Sequence, residues 1–321
     1  MGYNKADLVR VKSEYSKKYQ KAREDADKRA LEVYLRIPRV KAIDASLSGT
    51  ALEIMSAISA GKATAEETLA AVRARNEALM AEREALLLEA GYPKDYTDVH
   101  YECKKCDDSG YVDGRMCECM RRQLILAGYE SSGLGRLIST QRFDNFSLDY
   151  YKTGGGNYDN VKMYFSILKS FAEDFSENTE KSFLLMGGTG LGKTHLSTAV
   201  AKTVIDKGYD VFYVSAIDMF SDFEKKQFGG GEDNTGRYFE CDLLIIDDLG
   251  TELSNQFTVS CLYNVINSRI NSARSTFINT NLSQKEIESK YAERITSRLF
   301  GEYYPLLFCG VDIRQQKVQR R

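Results

Sequence analysis

Apolar and polar positions follow two different rhythms along the 321-residue chain. Over residues 1 to about 92, Ala, Leu, Glu, Lys and Arg predominate at helical spacing, and this stretch is read as helical. Pro38 interrupts the first helical pattern, and Gly49 and Gly61 punctuate the second. Thr64 and Glu67 have the spacing of a capping box that opens a helix. From there Leu69, Val72, Leu79 and Leu86 recur on one face until Gly91 and Pro93 stop it. The charged face of these helices is either solvated or docks a partner protein. From about residue 160 the rhythm changes. Short apolar runs at 182–186, 211–215, 242–247, 276–280 and 306–309 alternate with helical stretches, which predicts a parallel α/β sheet.

Aromatic content divides the chain at the same place. All 15 Phe lie at or after Phe143, so the two regions build their cores from different material. Residues 129–160, rich in Gly, Ser, Asn and Tyr, read as a linker, and Gly229 through Gly236 as a loop. The expected organisation is a helical N-terminal partner-binding region over 1–92, a four-cysteine module over 93–128, the linker, and an α/β domain over 161–321.

Charge narrows the function classes. Forty-four basic and 46 acidic residues nearly cancel to −2, which excludes a uniformly basic coat for nucleic acid but leaves room for a local patch. No apolar run approaches the ~18–20 residues of a membrane span, and the first residues lack the apolar core of a signal peptide, so a cytoplasmic location is expected.

Of seven cysteines, four crowd together as Cys103-Lys-Lys-Cys106 and Cys117-Glu-Cys119. Zn²⁺ takes four thiolates tetrahedrally, and a short hairpin over Tyr111 to Met116 would return the second pair to the first. A set of four Cys leaves no open position for water, which favours structural over catalytic zinc. His100 is the one nearby alternative ligand, and a redox CxxC is the competing reading. Cys241, Cys261 and Cys309 sit alone in apolar segments and are expected to be buried bystanders.

Gly187-Gly188-Thr189-Gly190-Leu191-Gly192-Lys193-Thr194 matches GxxxxGK[ST] between an expected strand and a helix from His195 to about Lys207. Backbone N–H groups of such a loop wrap a polyphosphate, Lys193 reaches its β- and γ-phosphates, and the Thr194 hydroxyl holds Mg²⁺. The apolar run ending in Asp247-Asp248 supplies a second element: Asp247 to orient Mg²⁺ through water, Asp248 to polarise the attacking water. No NKxD segment is present to read guanine, so ATP is favoured. Asn281 follows the run at 276–280 and can hold the lytic water or γ-phosphate. Arg294 and Arg298, four apart on an expected helix, share a face.

The ordered set GGTGLGKTHL, LLIIDDLGTE, NVINSRINS, INTNLS, ERITSRLFGEY and GVDIR resembles the AAA+ ATPases of the DnaC/DnaI helicase-loader family, whose relatives include IstB-type transposition ATPases. The resemblance covers about 140–321, while the Cys-rich segment and helical N-terminus resemble the DnaI-like branch. It implies sensor 1 at Asn281, the arginine finger at Arg298 with Arg294 the weaker candidate, and a sensor-2-like Arg314. It also implies an N-terminal region that grips the replicative hexameric helicase, and an ATP-dependent oligomer that binds single-stranded DNA and helps place the helicase during replication initiation.

Two departures qualify that picture. The base after the metal-binding Asp is Asp248 rather than Glu, one methylene shorter, so slow hydrolysis raised by oligomerisation, DNA or a partner is expected; Glu252 is close enough in sequence to assist. All four metal positions are Cys, where some relatives use His. For DNA, the segment 216–240 mixes Phe223, Lys225, Lys226, Phe228, Arg237 and Tyr238 with six acids, so it reads equally as a single-strand binder or a surface helix and loop. The tail Arg314 to Arg321 has four cations and no acid. Two alternatives stand beside the loader: an IstB-like ATPase partner of a transposase, and a nucleotide-gated adaptor with little turnover.

Overall fold

The computed structural model describes residues 2–60, 62–152, 157–229 and 235–319. Gly61, Gly154–Gly156, Gly230, Gly231, Glu232, Asp233, Arg320 and Arg321, with the side chains of Thr64 and Glu67, lie outside the described residues. The chain forms two compact units, one of Lys12–Cys117 and one of Met1–Val11 with Glu118–Arg321.

The first unit takes most of α1 (Lys5–Arg36), then α2 (Pro38–Ala60) and α3 (Lys62–Glu89). Pro38 opens α2 at a position where its missing N–H is not needed. Gly49 lies inside α2 and does not break it, and α3 begins two residues before Thr64, so neither marks a boundary. Helices α2 and α3 pair through Arg39–Glu82 (2.7 Å), Arg75–Glu53 (2.6 Å) and Arg83–Asp44 (2.8 Å). Val33, Val40 and Leu87 form the buried core here. Val72 is buried as the pattern requires, whereas Leu69 is exposed. At the C-terminus of α3, Gly91 adopts φ 84° and Tyr92 N donates to Leu87 O, a left-handed helix stop. A two-residue hairpin, β1 (Tyr111–Val112) with β2 (Arg115–Met116), follows.

The second unit is an α/β layer fold. Helices α4 (Glu118–Ser131), α5 (Leu137–Thr140) and α6 (Tyr158–Asp174) lead into β3 (Ser182–Gly187) and α7 (Lys193–Asp206). Then come β4 (Val211–Ser215), α8 (Ala216–Phe228), α9 (Arg237–Glu240), β5 (Leu243–Leu249) and α10 (Gln256–Asn271). The chain closes with β6 (Ser275–Thr280), α11 (Gln284–Lys290), α12 (Glu293–Glu302), β7 (Tyr303–Phe308) and α13 (Ile313–Gln319). The sheet is parallel throughout, ordered β4-β5-β6-β3-β7. One strand, β6, is thus inserted between the phosphate-loop strand β3 and the acid-tipped strand β5, the arrangement of an AAA+ P-loop fold. The last strand begins at Tyr303, three residues before the expected run, because its outward positions Tyr304 and Pro305 are exposed and weaken the apolar signal.

Helices cover both faces, α6 and α7 on one and α8, α10 and α12 on the other, each over its own aromatic and aliphatic cluster. Residues 129–152, read above as a linker, contribute Leu134 and Tyr151 to the first cluster. The Tyr151 hydroxyl donates to Leu191 O at 2.7 Å, which fastens this segment to the glycine loop. Within 216–240, Tyr238 is fully buried, stacks on Phe223 at 5.3 Å and donates to Asp222; Arg237 lies over the Phe212 ring and pairs with Asp210 at 2.9 Å. These three side chains are therefore committed to packing and are not presented to bases, while Phe228 is exposed. Among the described residues no helix is long and apolar enough to cross a membrane.

Candidate functional site

The glycine loop joins the end of β3 to the first turn of α7, and its conformation needs its glycines at three points. Gly187 (φ 135°) passes so close to Phe308 O that a Cβ would stand 2.1 Å from it. Gly190 (φ 75°) leaves no room beside the Asp312 carboxylate, and Gly192 (φ 83°) packs on Tyr151 and Phe146. Gly188, Thr189 and Leu191 complete the loop, with Leu191 buried beneath it. Lys193 is buried, and its Nζ donates to Gly187 O (2.6 Å), Gly188 O (2.8 Å) and Asn281 Oδ1 (2.9 Å). Burial pushes this ammonium down to about 8, against the pull of the Asp248 and Asp247 carboxylates.

Asp247 meets Thr194, whose Oγ1 donates to the carboxylate at 3.1 Å. Two further donors hold it that the sequence did not reveal: Asn279 Nδ2 at 2.8 Å and the Tyr213 hydroxyl. Both come from the strands flanking β5, and Asn279 also donates to Ser197 Oγ at 2.9 Å. The half-buried Tyr213 phenol is raised well above its ordinary range by burial first and by Asp247 second, so it stays a donor.

Asp248 has a left-handed backbone (φ 54°), where the register of β5 against β6 slips between Ile246 and Leu249. Such a bulge re-aims side chains at a strand end. It turns Asp248 into the cavity, where Asn281 Nδ2 donates to it at 3.3 Å. Burial and the neighbouring Asp247 raise the Asp248 carboxyl above its usual range. Glu252 is not available to assist: it is buried, accepting from Gly250 N (2.8 Å) and the Tyr291 hydroxyl (2.5 Å) and pairing with Lys290 at 3.3 Å.

Thr189 to Thr194, Asp248 and Asn281 line one cavity of about 310 Å³, together with Gln141, Phe146, Tyr150, Ile313, Arg314 and Lys317, while Asp247 reaches it only through Thr194. Arg314 is thus brought to the site. Arg294 and Arg298 are not; both guanidiniums lie over the Tyr263 ring, at 4.8 and 5.5 Å. The cavity joins a phosphate-type loop, a hydroxyl–carboxylate pair suited to a hard divalent cation and a second carboxylate with an amide, the equipment for phosphoryl transfer to water.

The four cysteines converge separately. The sulfurs of Cys103, Cys106, Cys117 and Cys119 all lie within 4.8 Å of one another, and Cys103 and Cys117 are 3.9 Å apart. A tetrahedron with Zn–S bonds of ~2.3 Å has edges of roughly 3.8 Å, so the set fits. The turn is held by Asp108, whose carboxylate accepts from Glu102 N and Cys103 N, both at 2.8 Å. His100 is outside the cluster. Of the bystanders, Cys241 is buried, Cys261 is half-buried and Cys309 is exposed, so burial was expected wrongly for Cys309, whose position just past β7 faces outward.

Residues 158–299 match the family model for IstB-like ATP binding protein. The replicative helicase loader DnaC of Buchnera aphidicola from Acyrthosiphon pisum is 28% identical over 187 residues, covering 57% of this chain and 71% of that protein. The phage-like element PBSX protein XkdC of Bacillus subtilis is 27% identical over 225 residues, covering 65% and 79%. Among solved structures, that of a DnaC helicase loader matches at TM-score 0.47 and 20% identity, covering 54% of this chain and 98% of that one. That of DnaI matches at 0.47 and 19%, covering 56% and 94%. The chain thus carries an IstB-like ATP-binding domain and is homologous to the DnaC helicase loaders. The family match begins after the cysteine cluster and ends before Arg314.

Proposed function

We propose that this protein binds and hydrolyses ATP and uses that cycle to load a replicative DNA helicase onto single-stranded DNA. One observation carries the reading: Lys193, Thr194, Asp248 and Asn281 line one cavity, with Asp247 hydrogen-bonded to Thr194 behind it, in a chain homologous to replicative helicase loaders. Lys193 would exchange its contacts with the Gly187 and Gly188 carbonyls for β- and γ-phosphate oxygens. Thr194 and Asp247 would hold Mg²⁺, which when bound neutralises phosphate charge. Asp248 would take the proton of the attacking water, and Asn281 would fix that water's position. Arg314 would face the γ-phosphate from its own chain, and Arg298 would serve a neighbouring subunit's site in a homo-oligomer. Turnover would be slow until DNA or a partner aligns these groups, since Asp248 reaches less far than Glu.

The four cysteines would hold one structural zinc ion, and the helical unit Lys12–Cys117 would grip the helicase. The test is recovery of the replicative helicase on the immobilised full chain, with and without ATP. Helicase capture that changes with nucleotide is the expected result. The IstB-like family match supports a second reading, an ATPase partner of a transposase. Recovery of transposase in place of helicase would select it.

A further inference from the structure

Arg294 and Arg298 stand on α12, outside the cavity and about one helical turn apart. Arg294 is exposed and Arg298 is half-buried. Among the described residues neither guanidinium pairs with a carboxylate, and none of their N–H groups donates to a protein acceptor. Both lie instead over one ring, that of Tyr263 on α10, at 4.8 and 5.5 Å.

The ring and the two arginines rise from fixed ground. Leu262, Val265 and Ile266 bury α10 around Tyr263, and Ile295 and Leu299, each next to one of the arginines, bury α12 in the same apolar cluster. Tyr263 packs against that cluster, and its hydroxyl makes no hydrogen bond among the described residues. What it offers the arginines is therefore the face of a ring.

Two cations one turn apart on a helix repel each other. A ring face, negative at its centre, attracts both and restrains side chains that would otherwise sweep through solvent. A guanidinium held this way keeps its N–H donors, whose fork suits a phosphate. Two guanidiniums gathered without a carboxylate are thus readied for an anion, with part of the ordering already done.

We infer that Tyr263 is a positioning residue for ATP hydrolysis: its ring holds Arg298, with Arg294 beside it, in the conformation that meets the γ-phosphate bound by a neighbouring subunit. This inference rests on the reading of Arg298 as a group supplied across a subunit contact. Tyr263 itself lies outside the cavity, so its loss should act on turnover and leave nucleotide binding alone.

Steady-state ATPase of the full chain would be measured for Tyr263→Leu, Tyr263→Met and Tyr263→Phe beside Arg298→Ala, with ATP affinity and melting temperature for each. Leu and Met keep apolar packing without a ring, and Phe keeps the ring without the hydroxyl. Both ringless variants should lose about tenfold in kcat at unchanged KM and ATP affinity, while Tyr263→Phe should match the unaltered chain. Mixing should then group Tyr263 with Arg298. Tyr263→Leu chains should regain activity with Asp248→Asn chains, which supply an intact arginine, and gain nothing from Arg298→Ala chains. A packing role alone would not produce that pattern. Unchanged kcat in both ringless variants would overturn the inference, as would an equal loss in Tyr263→Phe or a gain on mixing with Arg298→Ala. Failure of the underlying reading has a different signature: Arg298→Ala itself would hydrolyse ATP at the normal rate.

Discussion

Asn281 stands between Lys193 and Asp248, accepting from the ammonium at 2.9 Å and donating to the carboxylate at 3.3 Å. One amide therefore contacts both the lysine of the glycine loop and the carboxylate proposed to activate water. With Asp248 in a left-handed conformation, the carboxylate has a fixed place against that amide. The two carboxylates adjacent in sequence thus have different partners. Asp247 is turned toward Thr194 and Asp248 toward Asn281.

Nucleotide affinity should depend on pH through Lys193. Its ammonium sits at about 8 in the free protein, and bound phosphate will raise it. Below pH 8 the group is already charged, so affinity should be level. Above it, binding must take up a proton, and Kd should weaken toward tenfold per pH unit. Titration calorimetry in buffers of different ionisation heat would count that proton. Lys193→Arg, always charged, should give a level profile, and Lys193→Ala should abolish binding.

Tyr213→Phe should loosen the cation site without touching the triphosphate. The phenol holds Asp247 from outside the ligand set, and removing such a partner weakens metal affinity about 10–100-fold. The Mg²⁺ concentration for half-maximal ATPase should rise accordingly, with ATP binding in chelator unchanged. An unaltered Mg²⁺ requirement would refute the positioning role.

Asp248→Asn should lower steady-state ATPase by about 10²–10³ while sparing ATP binding, because a general base contributes on that order. Arg298→Ala should likewise bind ATP and fail to hydrolyse it. Mixing the two variants should restore part of the activity, since each chain would supply the group the other lacks across a subunit contact. No recovery at any mixing ratio would place Arg298 outside the neighbour's site.

Elemental analysis of the full chain should find about one zinc per chain. Cys117→Ser should lose it, and with it the thermal stability of the Lys12–Cys117 unit. A metal-free preparation with unchanged melting would exclude the ion. Phosphate-loop variants should leave zinc content unaltered.

Much of the fold was legible in the sequence where the signal is local. The glycine loop, the strands before it and at 243–249, and the two Cys pairs each declare themselves within a few residues, because backbone shape and spacing carry their chemistry. The end of β7 was found and its beginning missed, since Tyr304 and Pro305 face outward. The role of Phe223 and Tyr238 stayed open in the sequence for a related reason: spacing shows that aromatics lie near cations, not which of them the core takes.

The sequence by itself determined a phosphate-binding loop, a paired-acid strand and a four-thiol cluster, because each is written in contiguous residues. Only the tertiary structure decided who holds those groups in place. Tyr213 and Asn279 reach Asp247 because β4 and β6 flank β5, an order no linear spacing encodes. The same holds for Glu252, drawn away from the cavity by Tyr291 and Lys290, and for Gln141, brought to it by a segment that composition alone describes as a linker. Hydrogen bonds between distant segments are settled by how the sheet is assembled, and that assembly turned a list of motifs into a site.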